Sequence, residues 1–262
     1  MTRPMRRIAV ELALVAVLAA PLGALLATIG PRSARAQEDA VEAGEELFLT
    51  GCVSCHGPGG VGTDQGPTLI GVGAAAADFM LRTGRMPLAV PGQQPPRKEP
   101  AYSDEDITYL VAYVASLGPG PEIPDVDPER GDMAMGGELY RENCAACHQA
   151  AGSGGALSYG RHAPSLHEAT ATEIAEAPRI GPGQMPVFGP EVISDSDLDS
   201  LALYVLQLDD PADPGGLSLG RIGPVAEGFV AILIGLGTLI VVARWVTRTR
   251  RQRLTEASEP RP

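Results

Sequence analysis

The sequence predicts a mainly α-helical protein in which one small helical domain is used twice in tandem and is followed by a C-terminal transmembrane helix. Three observations carry this reading. The pentapeptide Cys-x-x-Cys-His occurs as Cys52-Val53-Ser54-Cys55-His56 and again as Cys144-Ala145-Ala146-Cys147-His148, and together these use all 4 cysteines. Flanking segments repeat with them: Gly44-Glu45-Glu46-Leu47-Phe48 matches Gly136-Gly137-Glu138-Leu139-Tyr140, and Ser103-Asp104-Glu105-Asp106-Ile107 matches Ser194-Asp195-Ser196-Asp197-Leu198. Finally, an apolar run from Ile222 to Ala243, broken only by Glu227, ends in Arg244, Arg248, Arg250, Arg251 and Arg253.

A chain of 262 residues holds two small domains and terminal segments, but no large enzyme core. The expected order is a signal peptide or N-terminal anchor over 1–36, domain one over 37–120, a linker over 121–131 and domain two over 132–210. A membrane helix over 222–244 and a basic tail over 245–262 complete it.

At the N-terminus Arg3, Arg6 and Arg7 precede the apolar stretch Ile8 to Ile29, and Ala34-Arg35-Ala36 then forms a small-x-small site. This is the pattern of an export signal with cleavage after Ala36, although the whole stretch is nearly long enough for a span of about 20 residues. With either a signal or an anchor, the chain beyond Ala36 is exported.

Each copy is expected to begin with a short helix and to end with a longer one. A serine N-cap with acidic first-turn residues marks each terminal helix, at Ser103 and at Ser194. Leu110, Tyr113 and Leu117, and likewise Leu201, Tyr204 and Leu208, recur at helical spacing and make an apolar face. That face can pack on the first helix at Gly44 and Gly136, where a missing side chain permits close approach. Tyr113 and Tyr204 are read as core residues. Gly118-Pro119-Gly120-Pro121 through Asp127-Pro128 reads as a stiff extended linker, and Asp209 to Pro224 as a second breaker-rich segment.

Cys-x-x-Cys-His is the attachment signature of c-type haem: two thiols on one helical turn reach two vinyl groups of one porphyrin, and the next residue lies under the iron. Cys52, Cys55, Cys144 and Cys147 are therefore the expected covalent anchors of two haems c, with His56 and His148 as proximal iron ligands. A disulfide or thioredoxin-like couple needs no histidine after the second cysteine. A zinc site needs four ligands together, and Cys55 and Cys144 are separated by most of a domain.

The second axial position decides between electron transfer and ligand chemistry. Each copy supplies Met-Pro between its haem motif and its last helix, in Gly84-Arg85-Met86-Pro87 and Gly183-Gln184-Met185-Pro186. Met86 and Met185 are the expected distal ligands, since a thioether raises the potential and closes the iron to outside molecules. Met133 and Met135 lack that context. His162 and His167 lie outside the motifs; one of them is an alternative to Met185 on the second iron, but the preferred reading is of surface or hydrogen-bonding residues. A backbone carbonyl in Gly66-Pro67-Thr68-Leu69, or in Ala163-Pro164-Ser165-Leu166, is placed to accept the Nδ1 hydrogen of the haem histidine.

From Gln37 to Arg221 there are 28 acidic side chains against 9 basic ones. That field repels nucleic acid and anionic lipid; it either steers a basic protein surface towards the chain or serves solubility. The arginines after Ala243 place the C-terminal tail in the cytoplasm, and hence the haem domains outside it.

With its haem motif, Pro-x-Leu loop, Met-Pro and terminal Leu-x-x-Tyr-x-x-x-Leu helix, each copy resembles a class I cytochrome c domain. The whole is similar to the dihaem cytochrome c subunit of the actinobacterial-type cytochrome bcc complex, a quinol–cytochrome c reductase. The similarity runs from about Gly44 through the span and includes Thr83-Gly84-Arg85-Met86-Pro87, Gly154-Gly155-Ala156-Leu157-Ser158 and Gly220-Arg221-Ile222-Gly223-Pro224-Val225-Ala226-Glu227-Gly228. It implies a cell-membrane electron carrier without a catalytic site of its own. Electrons would pass from a Rieske iron–sulfur subunit, beside a cytochrome b subunit, to the copper-containing subunit of an aa-type terminal oxidase. The rival readings are a cbb-type oxidase haem subunit, usually anchored at its N-terminus, and a dihaem peroxidase, which needs an open iron site.

Overall fold

The computed structural model describes residues 35–92, 94–209 and 228–258. The expected leader or anchor up to residue 34 and the breaker-rich segment from 210 onward lie outside the described residues. In chain order the helices are α1 (35–51), α2 (Val53–His56), α3 (Gly73–Arg82), α4 (Asp104–Ser116), α5 (Met133–Asn143), α6 (Ala145–His148), α7 (Ala171–Ile180), α8 (Asp195–Asp209) and α9 (228–258). One antiparallel hairpin, β1 (Gly155–Ala156) with β2 (His162–Ala163), stands between α6 and α7.

These residues form two compact units, one containing the chain up to Asp127 together with Ala171–Leu198, the other containing Pro128–Thr170 and the chain from Asp199. In the first, α1 is longer than α4, against the expectation of a short opening helix. Good helix formers before Val41, among them Ala36, Gln37, Glu38 and Ala40, extend it.

Gly44 is where α1 meets α4: a Cβ there would collide with the Tyr109 carbonyl and sit 2.8 Å from the Tyr113 Cβ. The crossing buries Phe48, Ile107 and Leu110, each about 1% exposed, and sets the Phe48 and Tyr113 rings 5.1 Å apart. Burying three such side chains contributes roughly 2 kcal/mol each. The exposed Arg82–Asp104 pair joins α3, not α1, to α4 and, with Asp104 95% exposed, adds well under about 1 kcal/mol. Ser103 caps α4 by accepting from the Asp106 amide at 3.2 Å.

The second unit repeats the device. A Cβ at Gly136 would strike the Ser200 carbonyl, and the Tyr140 and Tyr204 rings pack at a tilt of 42° with centroids 5.4 Å apart. Arg130 clamps Asp199 on α8 through Nε and Nη2, at 2.9 and 3.3 Å. At the head of α8 Ser194 forms a capping box with Asp197, giving its own amide to the carboxylate at 2.9 Å and taking the Asp197 amide at 3.2 Å.

The linker after α4 is extended but not free. Its Pro121 carbonyl accepts from the Ala75 amide at 3.1 Å, which seats it on the start of α3, and Val126 packs against Ala175, Ile193 and Leu198. In the same unit α7 lies against α3, and Arg97 grips the buried Glu173 with two 3.0 Å bonds. Next to this pair Glu176 is fully buried. No donor reaches either of its carboxyl oxygens. Burial, then the charges of Asp78 and Glu173, push its carboxyl up to about 9, with Arg82 opposing. The native carboxyl therefore keeps its proton at neutral pH.

One backbone strain separates the repeats. After His56 the chain turns at Gly57 with φ +74°; the matching residue after His148 is Gln149, at φ +66° and ψ 161°, a region open almost only to glycine. The Tyr140 hydroxyl holds the Gln149 carbonyl at 2.6 Å.

Two outcomes test these points. The unfolded chain releases the Glu176 proton above its ordinary value near 4.5, while the native chain keeps it to about 9. The contribution is therefore whole below about 4.5, falls as pH rises and is gone above about 9. Glu176→Gln should match the wild type in thermal melts near pH 5 and exceed it near pH 8; equal curves at both would refute the buried proton. Gln149→Gly should stabilise the second unit by about 1 kcal/mol, read as a raised denaturant midpoint, and a lowered midpoint would refute the strain.

Candidate haem sites

In the first unit α1 ends where the haem motif begins, so the packed crossing at Gly44 also aims the motif. The Cys52 amide donates to the Phe48 carbonyl at 2.8 Å, and Cys52 then opens the single turn α2. That turn presents Cys52, Cys55 and His56 to one crevice of about 350 Å³, across which lie Leu81, Met86 and Tyr102. Four groups expected from sequence, two thiols, an imidazole and a thioether, thus line one cavity. This donor set fits a covalently held haem with a nitrogen and a sulfur on its iron.

His56 Nδ1 donates to the Pro67 carbonyl at 2.8 Å, which fixes the ring plane and leaves Nε2 as the nitrogen a metal would take. The loop that brings Pro67 there has no room for a side chain at Gly66, where a Cβ would sit 2.7 Å from the Cys55 carbonyl. Met86 follows α3 in a pinned turn. Its amide donates to the Met80 carbonyl at 3.0 Å, Gly84 takes φ +62° against the Lys98 carbonyl, and Lys98 Nζ donates to the Pro87 carbonyl at 2.8 Å. The Met86–Pro87 peptide is cis.

The first thiol of each motif, Cys52 and Cys144, is not activated. Burial raises Cys52, the Tyr102 hydroxyl lowers it by donating to the sulfur, and burial pushes Cys144 up to about 11. A redox Cys-x-x-Cys couple needs a thiol lowered towards neutral pH, so the electrostatics oppose that alternative. Tyr102 is a crevice residue that sequence reasoning passes over; its only signal in the chain is its place one residue before the Ser103 cap.

In the second unit α5 leads through Cys144, whose amide donates to the Tyr140 carbonyl at 2.8 Å, into the turn α6. His148 Nδ1 donates to the Pro164 carbonyl at 2.9 Å, the same arrangement as His56 with Pro67. Burial lowers the His148 imidazole, against the Pro164 carbonyl, and favours the neutral form that a metal requires. His167 Nε2 donates to the Ala151 carbonyl at 2.7 Å, a structural bond, and His162 sits exposed on β2. Met185 lies in a turn after α7, its amide donating to the Pro182 carbonyl at 3.2 Å between Gly181 and Gly183, both at positive φ. It groups with the first unit, whereas Cys144, Cys147 and His148 group with the second.

The membrane candidate is α9: Gly228–Arg251 has a mean hydropathy of 2.3 and none of its apolar window is buried, long and apolar enough to cross a bilayer. Trp245 lies on it, 66% exposed.

Residues 41–118 match the family model of cytochrome c, and residues 131–205 match that of the cbb3-type cytochrome c oxidase subunit III. The cytochrome bc1 complex cytochrome c subunit of Mycobacterium leprae is 40% identical over 85% of this chain and 81% of its own length. That of Corynebacterium diphtheriae is 35% identical over 93% of this chain and 95% of its own length. The cbb3-type cytochrome c oxidase subunit FixP of Sinorhizobium medicae is 27% identical over 66% of this chain and 62% of its own. The bc1 relatives extend across both repeats and most of the chain, where the oxidase subunit covers less at lower identity. With two cytochrome c domains ahead of an apolar helix, the chain belongs to the family of cytochrome bc1 complex cytochrome c subunits.

Proposed function

We propose that this chain carries electrons from a Rieske iron–sulfur subunit to the copper-containing subunit of an aa-type terminal oxidase, as the dihaem subunit of a quinol-oxidising complex that also contains a cytochrome b subunit. The observation that carries the reading is the meeting of Cys52, Cys55, His56 and Met86 in one crevice, with His56 Nδ1 fixed on the Pro67 carbonyl. When bound, each haem c supplies a one-electron iron centre.

The chain's residues prepare that centre in four ways. Cys52 and Cys55, and Cys144 and Cys147, anchor the two porphyrins. The Pro67 and Pro164 carbonyls orient His56 and His148 as proximal ligands and strengthen the imidazoles as donors. Met86, and Met185 by its matching Gly-x-Met-Pro setting, supply thioethers that raise the potential and close the irons to outside molecules. Leu81 and Tyr102 wall the first crevice against water, which favours the uncharged side of the redox change. No acid–base pair is needed, because the chain moves electrons and makes no bonds.

The helix α9 anchors the domains in the cell membrane. Arg244, Arg248, Arg250 and Arg251 then hold the tail on the cytoplasmic side and leave both haem domains on the outer face.

Purification in mild detergent should return the chain with a b-type cytochrome, a Rieske protein and an oxidase, at two haems c per chain; isolation without a b-type cytochrome would overturn the assignment. Met86→His and Met185→His should each lower one haem potential by about 100 mV or more while both haems stay attached. Potentiometric titrations unchanged in both variants would reject these ligands.

A further inference from the structure

The second repeat contains a structure that the first lacks. Between His56 and Pro67 the first copy runs through a short turn containing Asp64, whereas between His148 and Pro164 the second inserts the hairpin β1–β2. The hairpin is closed by the Leu157 amide donating to the Arg161 carbonyl at 2.8 Å, and β2 runs directly into Pro164, whose carbonyl holds His148. It therefore rises from the loop that orients the second haem ligand.

Its tip is Tyr159. The side chain is 96% exposed, the largest exposure of any large hydrophobic residue among those described. Its backbone lies at φ +60°, ψ 33°, which costs a non-glycine residue of order 1 kcal/mol. An aromatic ring held in solvent at the expense of backbone strain gains nothing from its own fold. Tyrosine anchors protein interfaces, where its ring fills an apolar pocket and its hydroxyl finds a partner. The neighbouring charge is also distinct. From Cys144 to His167 there is no carboxylate, although the exported region is strongly acidic, and beside Tyr159 the stretch carries Arg161 and His162. An acid-free, arginine-bearing tip repels cationic surfaces and suits a partner with carboxylates around an apolar pocket.

We propose that the hairpin 155–163, with Tyr159 as its anchor and Arg161 beside it, is a docking knob for a protein that presents an acid-rimmed apolar pocket. The occupant is an electron-transfer partner, because the knob springs from the loop that holds His148; this rests on the reading of the chain as a haem-bearing carrier. Docking here brings the partner close to the second haem, while the acidic remainder of the surface stays available to basic proteins.

The test uses the full chain in the membranes of its own host. Tyr159→p-benzoylphenylalanine, on irradiation, should crosslink to one protein subunit that also co-purifies with the chain, through a peptide bearing Asp or Glu. Arg161→Glu in the same chain should cut the yield about tenfold. Crosslinks to lipid alone, no protein crosslink, or a yield indifferent to Arg161→Glu would overturn the proposal. Tyr159→Gly, which removes both ring and strain, should fold at least as well, keep its haem content, and slow electron transfer to or from the crosslinked partner about tenfold in the purified assembly. An unchanged rate would also overturn it. Absence of a b-type cytochrome from the purified chain would refute the respiratory role, whereas its presence without the crosslink would refute only the knob.

Discussion

The contact on which the rest of each repeat depends is a helix crossing with no side chain between the backbones. Gly44 against the Tyr109 carbonyl, and Gly136 against the Ser200 carbonyl, let the opening and closing helices approach until their aromatic pairs meet in tilted contact. Any Cβ at these points would push the helices apart and lift Phe48 or Tyr140 out of the core. Because the haem motif starts one turn after Phe48 and one turn after Tyr140, the crossing also fixes where the thiols and the imidazole point. Packing energy is converted into the placement of functional side chains.

The second constraint acts on the imidazole. A histidine on a single helical turn would swing freely without a partner for its outer nitrogen, and in both repeats a proline carbonyl supplies it. The loops that deliver those carbonyls are crowded backbone: Gly66 lies on the Cys55 carbonyl, and Gly154 lies on that of Ala163. This is the close loop packing that a Gly- and Pro-rich envelope permits and larger side chains would prevent.

The repeats diverge where the duplication leaves freedom. A glycine turn after His56 becomes a strained glutamine after His148, steadied by the Tyr140 hydroxyl in place of the phenyl ring of Phe48. The segment carrying α7 serves the first unit, where Arg97 neutralises Glu173 and Glu176 keeps a proton beside Asp78. Breaking the Arg97–Glu173 fork would leave a buried carboxylate without its cation, at a cost of about 3–5 kcal/mol, far more than loss of an exposed pair. The linker is likewise part of this packing, tied to α3 at Pro121 and to the α7 cluster at Val126.

Much of this was legible in the chain itself, because it rests on neighbours a few residues apart. Cys-x-x-Cys-His on one turn, the Ser103 and Ser194 caps, Gly44 and Gly136 facing an apolar helix stripe, and a long apolar run before arginines each state their own geometry. Even the segments 66–69 and 163–166 could be nominated as sources of the acceptor for each haem-motif histidine, although only the structure picks out the carbonyls of Pro67 and Pro164. Only the tertiary structure decided that Met86 and Tyr102 share the crevice with Cys52, that Glu176 is sealed beside Asp78, that the linker is docked, and that Tyr159 stands in solvent on a strained turn. The reason is physical: a helical turn or cap is set by periodicity and local hydrogen bonds. Burial of a charge, or exposure of a ring, depends on which distant surfaces meet, and that is a property of the whole packing.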